Sequence, residues 1–140
     1  MSNIIYPRSP RETMCGWVYL PRFVDKIRLH LAGKLHTDYQ ENFTIGFDGL
    51  WLKAAGVTAE QLIEAVKNSI TDGQVADWVA NHVKKSEAEK AAFCNFVLHR
   101  GTESGEPAER LKMRKKQSGL EHRDDIQTFI DYIDADEKRI

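Results

Sequence analysis

Three short signals in the middle of the chain constrain its fold more than anything else in the sequence. Thr58-x-x-Gln61, Thr71-x-x-Gln74 and Ser86-x-x-Glu89 are capping boxes, in which a hydroxyl and a Gln or Glu three residues on satisfy each other's backbone N–H groups. Each is followed by apolar residues at helical spacing. Leu62, Ile63, Val66 and Ile70 follow the first, Val75, Trp78, Val79 and Val83 the second, and Ala92, Phe93, Phe96 and Val97 the third. Helix starts in such close succession predict a helical domain.

The same punctuation recurs on either side. Ser9-Pro10-Arg11-Glu12 reads as a further capping box with proline at the first helical position, and Gly16 as the end of that short turn. Pro21 opens a helix whose apolar stripe is Phe23, Ile27, Leu31 and Leu35, with Val24 beside it. Residues 36–47 read as loop, or at most a short extended piece. Asp48 is a candidate cap for a helix carrying Leu50, Trp51 and Ala54, stopped by Gly56. Residues 101–106 read as a surface loop. Pro107 begins a basic helix through Lys116, which Ser118-Gly119 ends, and residues 124–134 form a last amphipathic helix with Ile126, Phe129, Ile130 and Ile133 on one side.

No stretch alternates convincingly as a strand, and no apolar signature repeats at a fixed period. The prediction is all-α: a single compact domain over 1–140 of about six or seven short amphipathic helices, with residues 1–7 and 135–140 as candidate frayed ends. A chain of 140 residues buries enough surface to fold without a disulfide or a metal. With 41% apolar and 29% charged residues, disorder throughout is excluded. No apolar run approaches the ~20 residues of a membrane span, and the first residues lack a signal peptide's apolar stretch. Cys15 and Cys94 form no C-x-x-C, which predicts a reduced, cytoplasmic chain.

Charge is near balance overall, at −1, but unevenly spread. Residues 1–35 carry six bases against Glu12 and Asp25; residues 124–140 carry six acids against Lys138 and Arg139. Two ends of opposite sign either pack together in one molecule or leave a basic surface for an anionic partner. A pI near 6.5 argues against bulk nucleic-acid binding. Arg110, Lys112, Arg114, Lys115 and Lys116 form the best nucleic-acid candidate, but such a run reads first as a solvated face. A helix-turn-helix over 58–84 lacks bases before Lys84 on its second helix. The five histidines and two cysteines show no ligand spacing, so no metal is expected, and no phosphate-binding glycine motif or other cofactor signature is present. Cys15, beside Gly16 and one turn from Arg11, and Cys94, beside Phe93, read as packing residues before nucleophiles.

One feature breaks a local rule. Cations are unfavourable at a helix start, where the backbone presents about +0.5 charge. Yet Arg8 and Arg11 flank Pro10, and Arg22 follows Pro21. Along the second helix Arg22, Lys26 and His30 stand at i, i+4 and i+8, a cationic line beside the core stripe. Arginine forks near helix-start N–H groups suit a phosphate or carboxylate. The bland alternative is internal pairing: Glu12 with Arg11, Asp25 with Arg22, and the acidic C-terminus over the rest.

At Arg8-Ser9-Pro10-Arg11-Glu12, Leu20-Pro21-Arg22, Asp25-Lys26 and Leu31-Ala32-Gly33-Lys34-Leu35, the sequence resembles the bacterial domain-of-unknown-function family numbered 5069. Asn95 in Phe93-Cys94-Asn95-Phe96 and the closing Asp134-Ala135-Asp136-Glu137 share the resemblance, which spans nearly the whole chain. It implies a bacterial cytoplasmic protein and brings no activity, cofactor or catalytic residue. It also implies a Gly-Gly pair where this chain has Cys15-Gly16, which speaks against Cys15 as a shared nucleophile.

The leading expectation is a non-enzymatic binding module in which Arg8, Arg11, Arg22, Asp25, Lys26 and His30 surround an anionic small molecule or a partner's acidic segment. The rival is an enzyme with Asp25 or His30 as acid/base and the arginines as substrate clamp, which requires these side chains to converge on a cleft. A third reading is a structural or oligomer-forming protein with Trp17, Tyr19 and Trp51 at an interface.

Overall fold

All three capping boxes form in the computed structural model, with both reciprocal hydrogen bonds present in each. They start α4 (Ala59–Lys67), α5 (Asp72–His82) and α6 (Glu87–His99). Before them come α1 (Leu20–Leu31), α2 (Thr37–Gln40) and α3 (Phe47–Ala55); after them come α7 (Glu106–Gln117) and α8 (Phe129–Asp136). The structure describes residues 4–103 and 105–140, so part of the expected fraying at 1–7 and part of the 101–106 loop lie outside the described residues. Eight helices among the described residues make the fold all-α but for one element, slightly more helices than the sequence predicts.

That element is a two-stranded hairpin, β1 (Thr13–Met14) paired antiparallel with β2 (Trp17–Val18). It replaces the helical turn predicted after Pro10. Glu12 N–H returns to the Ser9 carbonyl, and the chain then turns at Cys15 (φ 43°) and Gly16 (φ 85°). Two central residues with positive φ define the hairpin turn whose twist matches paired strands. The Gly-Gly pair implied by the resemblance would adopt it without strain.

The hairpin delivers Trp17 into the core. Its ring meets Trp51 of α3 and Phe93 of α6 edge-on, each at 5.7 Å, and Phe23 of α1 packs edge-on to Trp51 at 6.2 Å. Val18, Leu20, Val24, Ile27, Leu62, Val75, Val79, Val97 and Ile130 complete a core drawn from nearly every element. Trp17, Tyr19 and Trp51 are therefore core residues, not interface aromatics.

Several predicted core positions lie outside. Leu31 ends α1 and is exposed, Ile70 follows the end of α4 and is 88% exposed, and Phe96 and Ala92 face solvent on α6. Leu31 stands at the end of its helix and Ile70 beyond the end of its own, where the apolar spacing no longer reports a buried face. Asp48 does not cap α3; Gly46 precedes the helix and Asp48 is buried in its first turn. The last helix begins at Phe129, with Ile126 buried in the segment before it. Nor is the C-terminal segment frayed where predicted, since Ala135 and Glu137 are buried.

Candidate functional site

α1 starts without a side-chain cap. Tyr19, just before it, sits in the left-handed region (φ 76°), and no acid stands in the first turn. A carboxylate far along the chain compensates: the Arg22 guanidinium donates from both terminal nitrogens to Glu137, at 2.8 and 2.6 Å. The Tyr39 hydroxyl donates to the same carboxylate at 2.7 Å, and Arg22 lies over the Tyr39 ring. Burial alone would raise the Glu137 carboxyl, but Arg22, Tyr39 and Arg139 outweigh it and hold the group below its ordinary value. Burial likewise works against the Arg22 cation, and Glu137 together with Tyr19 and Tyr39 more than restores it.

The ring of pairs extends outward. Arg139 bonds to both Asp134 and Glu137 and reaches the Pro7 carbonyl. Arg11 bonds to Asp131 and to Asp134, and the Ser9 hydroxyl donates to Asp134 at 3.1 Å. The basic N-terminal segment and the acidic C-terminal helix thus pack together in one molecule. Arg11 is not on a helix; it stands in the turn that leads to the hairpin.

Two further clusters hold the remaining candidates. Arg8 forks onto Asp25 (2.9 and 3.0 Å) and reaches Asp72 at 2.8 Å, where Arg28 also binds at 2.6 Å. Asp25 therefore serves Arg8 rather than Arg22, and Glu12 is in no ion pair among the described residues. The Asp72 carboxyl is drawn down by Arg8, against a smaller burial effect, and by Arg28. Deeper in, the Asp48 carboxylate accepts from the Lys26 ammonium at 2.9 Å, the Tyr19 hydroxyl at 2.6 Å and the Thr44 N–H at 2.9 Å. The side chains of Tyr19, Lys26 and Asp48 are buried. Burial lowers the Lys26 ammonium and raises the Tyr19 phenol, with Asp48 opposing the first shift and reinforcing the second.

His30 lies apart from these. It is exposed, its ring tilted against Phe43 at 4.6 Å, beside an open depression of about 360 Å³ with Gly33, Leu35, Gln40 and Phe43. Neither Arg22 nor Asp25 lines it, so the enzyme reading's required convergence does not occur. The line Arg22–Lys26–His30 does form, and the 36–48 segment meets it one residue at a time: Tyr39 at Arg22, Asp48 at Lys26 and Phe43 at the exposed His30.

The other candidates have local explanations. Burial pushes the Cys15 thiol up, with Lys90 only partly opposing, which is the opposite of activation. On α7, Glu106 and Glu109 occupy the first turn and Arg114, Lys115 and Lys116 the last, as the helix dipole favours. Lys115 is occupied by the carbonyls of Arg123 and Ile126. Among the described residues no three His, Cys, Asp or Glu side chains converge as metal ligands, and no helix is long and apolar enough to cross a membrane.

The sequence offers the cations and, through the opposed charge of the two chain ends, the acidic C-terminal segment as their internal partner; it does not single out Asp48, Asp72 or Tyr39 as partners, or the added arginines Arg28 and Arg139 that share these carboxylates. No curated protein matches the chain. A family model, Domain of unknown function (DUF5069), matches residues 4–139, nearly the whole chain; the protein belongs to that family.

Proposed function

We propose that this protein is a small binding module whose cationic edge, Arg8, Arg11, Arg22 and Lys26 with Asp25 and His30 beside them, recognises an acidic segment of a protein partner. One observation carries the reading. The Glu137 carboxylate sits in a built receptor of an arginine fork, a phenol and a second arginine, within reach of the Arg11–Asp134 pair. The chain's own acidic helix fills this receptor, which supports an occupant of the same kind: carboxylates presented on a helix face. We take the protein to act in the bacterial cytoplasm without catalysis; the free thiols of Cys15 and Cys94 support that compartment.

A second reading has a specific observation in its favour. Arg8, Arg11, Arg22 and Lys26 each have a carboxylate at hydrogen-bond distance, so the network also serves as an internal clamp needing no ligand. Titration separates the two. A full-length chain with Asp134→Asn and Glu137→Gln loosens the tail without removing it. Under the first reading it binds a peptide of residues 128–140, followed by fluorescence anisotropy, and loses it in moderate salt and on Arg22→Ala. Small carboxylates and phosphates, screened by thermal shift, should stabilise less than the ~2.7 kcal/mol expected of a ligand at 100 times its Kd. No binding of peptide or anion would leave the clamp.

A further inference from the structure

The carboxylates that fill the cationic edge come as a pattern on a helix. Asp131, Asp134 and Glu137 stand at i, i+3 and i+6 of α8 and its C-terminal residue, along one side. The same helix buries Ile130 completely and Ala135 almost so. An occupant replacing this segment must bring both halves. A lone anion would neutralise Arg22 but leave the Ile130 site empty, whereas the sequence of α8 carries the acids and the apolar residues in this register.

The chain turns sharply just before this segment. α7 ends in a helix-stop motif, with Gly119 N–H on the Lys116 carbonyl and Leu120 N–H on the Lys115 carbonyl at 2.8 Å. Gly119 holds the left-handed conformation this requires (φ 72°), and nothing lies within 4 Å of where its Cβ would stand. A residue that resists that conformation favours letting α7 run on, which carries residues 120–140 away from their own body at the cost of the Lys115 bonds to the Arg123 and Ile126 carbonyls.

We propose that a second copy of this chain is the partner: residues 120–140 exchange reciprocally, each α8 seating on the other copy's cationic edge. The inference rests on the reading that this edge takes an acidic segment. Arg22–Glu137, Tyr39–Glu137 and the Arg11 pairs with Asp131 and Asp134 are all remade between copies. Because these pairs are the same within and between chains, concentration and the turn at Gly119 set the balance.

Charge reversal tests this with full-length chains. In an Arg22→Glu chain, and separately in a Glu137→Arg chain, the buried pair becomes repulsive within the molecule. Mixed, the two restore attraction only by exchange. Light scattering after gel filtration should show a one-to-one dimer, about ten-fold more abundant in the mixture than in either chain alone. The chain carrying both substitutions should be a monomer, and its folding shows that the reversed pair is accommodated. A monomeric mixture beside a folded double variant overturns the exchange. Should the single variants not fold, Gly119→Ala in the otherwise unaltered chain decides: a raised dimer fraction supports exchange, and a monomer at every concentration overturns it. If the 128–140 peptide binds while these chains stay monomeric, exchange fails and the acidic-segment reading stands; if neither occurs, both fail.

Discussion

Arg22 and Glu137 are 115 residues apart in sequence and meet as a two-pronged ion pair with only 5% and 3% of their side chains exposed. Neither charge is tolerable there without the other, because removing an ion from water costs several kcal/mol that only a well-placed partner offsets. The pair therefore ties the start of α1 to the end of the chain, and the surrounding bonds to Tyr39, Arg139 and Arg11 depend on the same closure.

Acid should open this closure. The folded Glu137 carboxyl lies below its ordinary value of 4.5, so between the two values the unfolded chain binds more protons than the folded one. Its contribution is full above the ordinary value and is lost as pH falls through the depressed one. Urea midpoints from about pH 7 to about pH 3 should fall less steeply in Glu137→Gln than in the parent. Equal slopes would show that Glu137 is not held in this way.

Alkali should act through Tyr19. Its phenol is buried and donates to Asp48, so it ionises well above the ordinary range, and stability falls as pH rises past the unfolded value. In the folded protein the phenolate absorbance appearing around pH 10 should be unaltered by Tyr19→Phe. The same variant deprives buried Asp48 of a donor and should cost about 1.5–3 kcal/mol in urea unfolding. A cost under about 0.5 kcal/mol would mean the bond contributes little.

The hairpin turn gives a third test. Gly16 holds φ 85°, and a Cβ there would also come within 3.1 Å of the Lys90 side chain, which hydrogen-bonds the Cys15 carbonyl. Gly16→Ala should cost about 1–2 kcal/mol, whereas Cys15→Gly, which relieves a positive φ at some loss of unfolded-state stiffness, should change stability by less than about 1 kcal/mol. Equal effects at the two positions would argue against the positive-φ turn.

Legibility in the sequence followed the range of the interaction. The capping boxes at Thr58, Thr71 and Ser86 are closed within four residues, and the structure forms all three. The hairpin was not legible: two-residue strands are too short to alternate, and Cys15-Gly16 is not the Asn-Gly signal of a tight turn. For the candidate site, Arg11 and Arg22 stand out in the sequence through a rule that acts locally, the cost of a cation at a helix start, which in the structure applies to Arg22 alone. Their partners lie 115 to 123 residues away, where no spacing rule reaches. Only the opposed charge of the two chain ends foretold the meeting. The nearer guess, Asp25 with Arg22, failed because Arg8 folds back across α1 and takes both Asp25 oxygens.

The most direct measurement of the central claim, that α1 and α8 recognise each other through one buried charge pair, is a double-mutant cycle with Arg22→Met and Glu137→Met. Each single variant leaves the other charge buried and should lose about 3–5 kcal/mol in urea unfolding. The double variant should lose well under the sum, with a coupling of at least about 2 kcal/mol. Additivity within about 0.5 kcal/mol would contradict the claim, since it would mean that Arg22 and Glu137 act independently of one another.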